Sequence, residues 1–195
     1  TWTAGSGVGS IGHGLGVAPS MIIVKGRSSA IGWVTGLKSN GWNNYLQLQS
    51  TSVNVNDQRM FSPSGQSDPT STVWYQDHAA LGSSGDTMVG YVFAEKQGYS
   101  KIGSYTGNGS SSSPTFIYTG FKPKFVIVKN TSQADSWFIH DDKRDGYNDD
   151  NEYLFADLTN AEGTNVNRLS MYSNGFNVPT TDKSHNADNV PYIYW

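Results

Sequence analysis

The sequence predicts an all-β protein: a tandem-duplicated antiparallel β-sandwich, jelly-roll-like, of two similar repeats of about 100 residues each. Three observations carry that expectation. The segment Val17-Ala18-Pro19-Ser20-Met21-Ile22-Ile23-Val24-Lys25 returns as Phe121-Lys122-Pro123-Lys124-Phe125-Val126-Ile127-Val128-Lys129, and a Trp follows eight residues after each Lys, at Trp33 and Trp137. These pairs stand 104 positions apart, as do Gly16 and Gly120, and Met88-Val89 against Tyr192-Ile193. The composition holds 22 Gly and much Ser, Thr and Asn, with 13% aromatic and only 15% charged residues, which suits strands joined by tight turns better than helix surfaces. Helical periodicity, finally, is weak throughout.

Taken along the chain, Gly5 to Gly14 reads as a Gly-rich opening hairpin, answered in the second copy by a hairpin holding the loop Ser110-Ser111-Ser112-Ser113. Met21-Ile22-Ile23-Val24 and Phe125-Val126-Ile127-Val128 are short unbroken apolar runs behind a Pro, whose length and β-branching favour buried strands. Trp33-Val34-Thr35, Tyr45 to Leu48, Met88 to Phe93, Phe116 to Tyr118, Trp137 to Ile139, Leu169 to Tyr172 and Tyr192 to Trp195 complete the ladder. Turns such as Ser39-Asn40-Gly41, Gly107-Asn108-Gly109 and Ser173-Asn174-Gly175 offer residues that tolerate positive φ. The best helical stretch is Tyr153 to Ala161, so one short helix or none is expected. The copies divide near Gln97-Gly98-Tyr99-Ser100, giving repeats over 1–100 and 101–195.

Charge excludes some partners. The net charge is −3 and no basic run exceeds Lys143-Arg144, so the footprint that nucleic acid requires is missing. No apolar run approaches the ~20 residues of a membrane span, and a soluble chain is expected. The absence of cysteine removes disulfides, thiolate chemistry and Cys-based zinc sites together. A chain that starts at Thr1 without Met suggests processing or excision from a longer polypeptide.

Several motifs invite a functional reading. Gly7-Val8-Gly9-Ser10-Ile11-Gly12 has the spacing of a dinucleotide loop, but His13 to Gly16 followed by Pro19 cannot open the helix that such a loop needs. Asp141, Asp145 and Glu152 take positions 1, 5 and 12 of a calcium-loop pattern, with Lys143 where a further ligand should stand. The segment is an insertion relative to the first copy, and it reads as a solvated acidic turn, with a calcium site as the alternative. No other cofactor is indicated. The histidines His13, His78, His140 and His185 are scattered and read as surface or turn residues. No G-x-S-x-G exists, so nucleophilic catalysis has no local signature. Trp33 and Trp137, being duplicated, read as core; Trp42, Trp74 and Tyr75, set among polar residues without a counterpart, are the candidate sugar-stacking platforms.

The elements Ser104-Tyr105-Thr106-Gly107-Asn108-Gly109, Tyr118 to Pro123, Phe125 to Lys129, Trp137 and Asp142 to Asn148 resemble a repeated domain of uncharacterised tailed-phage proteins, found in virion structural and tail-fibre proteins of marine and cyanobacterial phages. His13 to Pro19 and Ser84 to Glu95 carry the same pattern in the first copy. The resemblance implies a context and no catalytic residue. The first copy's last strand runs on to Phe93-Ala94-Glu95 while the second stops at Trp195, opposite Tyr91, so a truncated strand within a longer fibre or spike is expected.

The expected function is that of a non-enzymatic virion structural module in an extracellular phage particle, in a tail fibre, spike or capsid appendage. It would assemble with copies of itself and with other virion proteins, and touch a host-surface glycan. A carbohydrate-binding module gripping such a glycan through Trp42, Trp74 and Tyr75 is the first alternative. A glycan-cleaving enzyme using acids of the 141 to 152 loop comes last, because the shared scaffold repeats no pair of acids.

Overall fold

The computed structural model describes residues 1–77, 81–144, 152–164 and 166–195, and it is all-β with antiparallel sheets throughout. The chain forms two compact units. The first comprises Thr1–Leu48 with Asn54–Glu95, and the second Gln49–Val53 with Lys96–Trp195.

In the first unit the strands are β1 (Trp2–Thr3), β2 (Val8–Gly12), β3 (Met21–Gly26), β4 (Val34–Leu37), β5 (Asn44–Gln47), β6 (Val55–Asn56), β7 (Val73–Asp77) and β8 (Thr87–Phe93). The larger sheet has the order β1-β8-β3-β4-β5-β6, and β2 pairs with β7 in a smaller one. The second unit has β9 (Gly103–Thr106), β10 (Phe116–Tyr118), β11 (Phe125–Asn130), β12 (Trp137–Asp141), β13 (Leu154–Phe155), β14 (Ser170–Tyr172), β15 (Gly175–Asn177) and β16 (Pro191–Tyr194). Its sheets are β13-β12-β11-β16-β9 and β10-β15-β14.

The sequence offset reappears in the ladders. Val24 lies opposite Val34 on one side and Gly90 on the other; Val128 lies opposite Phe138 and Tyr194, each 104 positions further on. Because a slip of one residue turns every side chain to the other face, equal registers mean equal inward sets. Turns follow suit. Gly85 (φ 95°) and Asn189 (φ 58°) hold the left-handed position before β8 and β16, and their amides donate to the carbonyls of Ala4 and Gly107. The duplicated lysine has a shared duty as well: Lys25 Nζ donates to the Ile31 carbonyl, and Lys129 Nζ to the Asp135 carbonyl at 2.8 Å, tying down the loop after the strand. Lys129 also donates to the Thr51 carbonyl at 3.2 Å, and burial pulls its ammonium down to about 8 against the opposing pull of Asp135 and Asp157.

Each unit packs the inward residues of its two sheets against each other. Ile22, Val24, Trp42, Phe61, Trp74 and Met88 fill the first core; Val126, Val128, Met171, Phe176, Tyr192 and Tyr194 fill the second. In the first, the Phe61 ring lies across Gly36, where a Cβ would stand 2.2 Å from it. At the 104 offset the second unit places His140 at that ladder position.

Three expectations need correction. The Gly-rich stretch is no local hairpin: β2 reaches across to β7, with Ile11 opposite Trp74. The Tyr153 stretch is extended, because Leu154 and Phe155 pair with Ile139 and Phe138 and the Tyr153 ring packs 5.3 Å from Phe138. Trp33 is only half-buried, lying 6.0 Å from the exposed Tyr91, whereas Trp137 is fully buried.

Candidate functional site

The residues first considered for sugar stacking are mostly interior. Trp74 is fully buried and Trp42 is 4% exposed, because both face the inter-sheet core, packed 5.7 and 6.0 Å from Phe61. Trp74 does have a counterpart. Ile11 opposite Trp74 matches Ile117 opposite Phe176, and the rings of Trp2 and Trp74 (5.5 Å, edge-on) repeat those of Tyr105 and Phe176 (6.5 Å, edge-on). Tyr75 points the other way along β7 and is half-buried.

Of the calcium candidates, Asp145 lies outside the described residues. Asp141 accepts the amides of Lys143 and Arg144 and, at 2.7 Å, the Arg144 Nε. Burial pushes its carboxyl up, but Arg144 and these amides outweigh that and hold it below the usual carboxylate range. Arg144 also meets Glu162 at 2.6 Å, so a protein cation already sits where a metal would. Glu152 is half-buried. Among the described residues no three His, Cys, Asp or Glu side chains gather as a metal set.

Two of the histidines do converge, against expectation. His140 on β12 and His185, 45 residues later, are both fully buried, with their Nε2 atoms 2.9 Å apart. Ser184 Oγ lies 2.6 Å from His185 Nδ1, and Arg168 Nη1 donates to that same hydroxyl. One consistent direction runs from Arg168 to the Ser184 hydroxyl, on to His185 Nδ1, and from His185 Nε2 to His140 Nε2. Arg168 is held in turn by Asp182 at 3.1 Å and lies over the rings of Phe138 and Tyr153. A Ser–His contact is the beginning of a nucleophile, but Ser184 is 2% exposed and no substrate reaches it here. The network replaces apolar packing: the 104 offset puts Leu81 at the place of His185. His13, by contrast, is half-buried, its Nε2 3.1 Å from the Thr70 carbonyl, and His78 lies outside the described residues.

A cleft of about 250 Å³ opens in the first unit. Thr1, Trp2, Ile11, His13, Gly90 and Val92 are among the residues that line it. Among the described residues no Asp, Glu, Lys or Arg side chain lines it. The indole nitrogens of Trp2 and Trp74 are shielded from solvent and have no protein acceptor, and of the two rings only the half-buried Trp2 keeps exposed surface. Gly90 lets the Trp2 ring pack closely against β8, since a Cβ there would stand 3.2 Å from it. The ladder counterpart of Gly90 in the second unit, Tyr194, is 5% exposed and sets its ring 5.3 Å from Phe176 and 6.4 Å from Tyr105.

The second unit has an outward aromatic face instead. Phe116 and Tyr118 on β10 are 48% and 66% exposed, and Tyr172 stands 6.1 Å from Phe116. The Phe116 ring reaches over Gly175, where a Cβ would come within 2.9 Å of it. Strands β10, β14 and β15 contain no charged residue, and β10 is an edge strand.

Gln76 is a further anomaly, fully buried on the inner side of β7 with neither amide atom bonded. Val178 holds the matching position, since its amide donates to Thr115 two residues before Ile117, as Gln76 pairs with Gly9 two residues before Ile11. Gln76→Val is expected to raise the first unit's stability by about 1 kcal/mol, the desolvation cost of an orphaned amide less the volume lost. Urea unfolding checks this, and an unchanged or lowered midpoint would count against it.

No helix among the described residues is long and apolar enough to cross a membrane. The family model described as a domain of unknown function (DUF7483) matches residues 1–195. No curated protein and no solved structure matches the chain.

Proposed function

We propose that the chain, which belongs to the DUF7483 family, is a non-enzymatic structural module of a tailed-phage virion, in a tail fibre, spike or capsid appendage, working through self-association and contact with the host surface. The observation that carries this reading is the uncharged aromatic face of β10, β15 and β14. Its outer strand β10 offers free backbone donors and acceptors, and Phe116, Tyr118 and Tyr172 stand on the same face. An edge of this kind pairs well with an identical edge, because two uncharged copies do not repel and a two-fold axis makes the contact self-complementary. The burial of the Ser184–His185–His140 chain fits a non-catalytic role, since the most reactive-looking group is built into the packing. The resemblance of the repeated strand, Pro and Trp pattern to phage virion domains supplies the setting.

Sedimentation equilibrium or native mass spectrometry tests the reading. The intact chain is expected to form a multiple of its 21.2 kDa mass at micromolar concentration. Phe116→Asp with Tyr118→Asp should return it to monomer with little loss of stability, because both side chains are largely exposed. A wild-type chain that stays monomeric at all concentrations, or a variant that still assembles, would refute it.

A further inference from the structure

We infer that β10 pairs antiparallel with β10 of a second copy about a two-fold axis through Ile117, so that two uncharged three-stranded sheets join into one. This rests on the self-association reading and names the backbone atoms that carry it. The parity of the strand is set by its inner neighbour. The Val178 amide donates to the Thr115 carbonyl at 3.2 Å and the Thr119 amide to the Asn174 carbonyl at 3.0 Å, with Ile117 opposite Phe176 between them. Residues of an antiparallel strand bond alternately to one side and the other, so Thr115, Ile117 and Thr119 are spent on β15, and Phe116 and Tyr118 turn N–H and C=O to the open edge.

An identical strand docks only where open groups meet open groups, and an axis between neighbouring residues sets an open backbone against one already bonded. An axis through Thr115 puts Phe116 opposite Pro114, which has no N–H, and one through Thr119 puts Tyr118 opposite Gly120, whose amide already donates to Asn174. The axis through Ile117 remains. It sets each Phe116 opposite the second copy's Tyr118, where both residues exchange N–H and C=O. The side chains suit that approach: the Phe116 ring leans back over Gly175 toward Tyr172, 6.1 Å away, and leaves the edge clear. On the outward face the pair then covers two rings that are 48% and 66% exposed. The first unit has the same open edge without the rings. The His13 amide donates to the Thr72 carbonyl at 3.1 Å, so on β2 it is Val8, Ser10 and Gly12 that turn their backbones outward. With Ile11 answering to Ile117, Ser10 and Gly12 hold the places of Phe116 and Tyr118, and a second strand gains little from covering them.

The test is isotope-filtered NMR on a mixture of labelled and unlabelled full-length chain, with the mass of the assembly measured alongside. A dimer is expected, with nuclear Overhauser contacts between the amide protons of Phe116 and the second copy's Tyr118, and between the α-protons of the two Ile117 residues. Tyr118→Pro removes an N–H that the fold itself does not use, and should weaken the dimer at least ~10-fold by deleting a hydrogen bond on each side of the axis. Ser10→Pro, the same change on the open edge of β2, should leave the dimer as it is. Should Tyr118→Pro fail to fold, the contacts in the wild-type mixture decide alone. A dimer without those contacts, or one that Ser10→Pro weakens as much as Tyr118→Pro does, would overturn the pairing and leave self-association standing. A chain that stays monomeric would overturn both.

Discussion

Trp74→Ala is expected to lower the stability of the first unit by about 3–5 kcal/mol, the usual cost of emptying a fully buried Trp site. The ring touches Trp2 edge-on at 5.5 Å and Phe61 at 5.7 Å, so its loss strips the inner face of β7 and the far side of the core together. Against a domain stability of ~5–15 kcal/mol this is a large fraction, and the urea midpoint of the first unit should fall steeply. Tyr75→Ala, one residue along and facing outward, should stay within about 1 kcal/mol of wild type. If Trp74→Ala left the midpoint unchanged, or Tyr75→Ala proved the more damaging, the assignment of faces on β7 would be wrong.

Acid should selectively weaken the second unit. Burial, then the neighbouring His140 and the Arg168 charge, hold the His185 imidazole well below its ordinary value of 6.5. A base whose folded pKa is depressed stays neutral in the fold while the unfolded chain takes up a proton. Stability is therefore intact above about pH 6.5 and falls as the pH drops from there toward the folded value, by up to about 1.4 kcal/mol per pH unit. The groups facing His185 do not offset the charge: Arg168 is itself cationic, Asp182 is engaged with Arg168, and the Tyr105 hydroxyl donates to the His185 carbonyl rather than to the ring. Chemical unfolding followed from pH 8 to pH 4.5 should show this limb, and His185→Leu, the residue of the first unit, should flatten it. A limb equally steep in that variant would mean that other groups govern acid unfolding.

How far these features were legible in the sequence depends on whether the signal was local. The strands around Ile22 and Val126 were readable because apolar runs behind a proline have few alternatives, and the constant offset transferred their register from one half to the other. The inward face of β7 was not readable. Its Val73-Trp74-Tyr75-Gln76-Asp77 sequence alternates aromatic and polar residues on both faces, and the buried Gln76 cancels the apolar pattern that would have placed Trp74 inside. Its partner β2 lies more than sixty residues earlier, so no hairpin signal joined them. The histidine pair was hidden for a similar reason, each member being unremarkable in its own neighbourhood. Trp33 and Trp137 show the limit of arguing from duplication: the ladder position is shared, but in the first unit the ring rests beside exposed Tyr91 and stays half open. Gly90 against Tyr194 at the common offset left the clearest trace, a tyrosine ring in one unit answered in the other by a glycine against which Trp2 packs.

The central ladders of the two units share one register and are filled differently: a histidine pair where the other unit has Gly36 and Leu81, and Tyr194 where the other has Gly90. The most direct measurement is a map of cross-strand nuclear Overhauser contacts over both units. It should show Val24 beside Val34 and Gly90, and Val128 beside Phe138 and Tyr194, with Trp2 near Trp74 as Tyr105 is near Phe176. A register displaced by one residue in either unit would contradict it, because Gly90 and Tyr194 would then face opposite sides of their sheets.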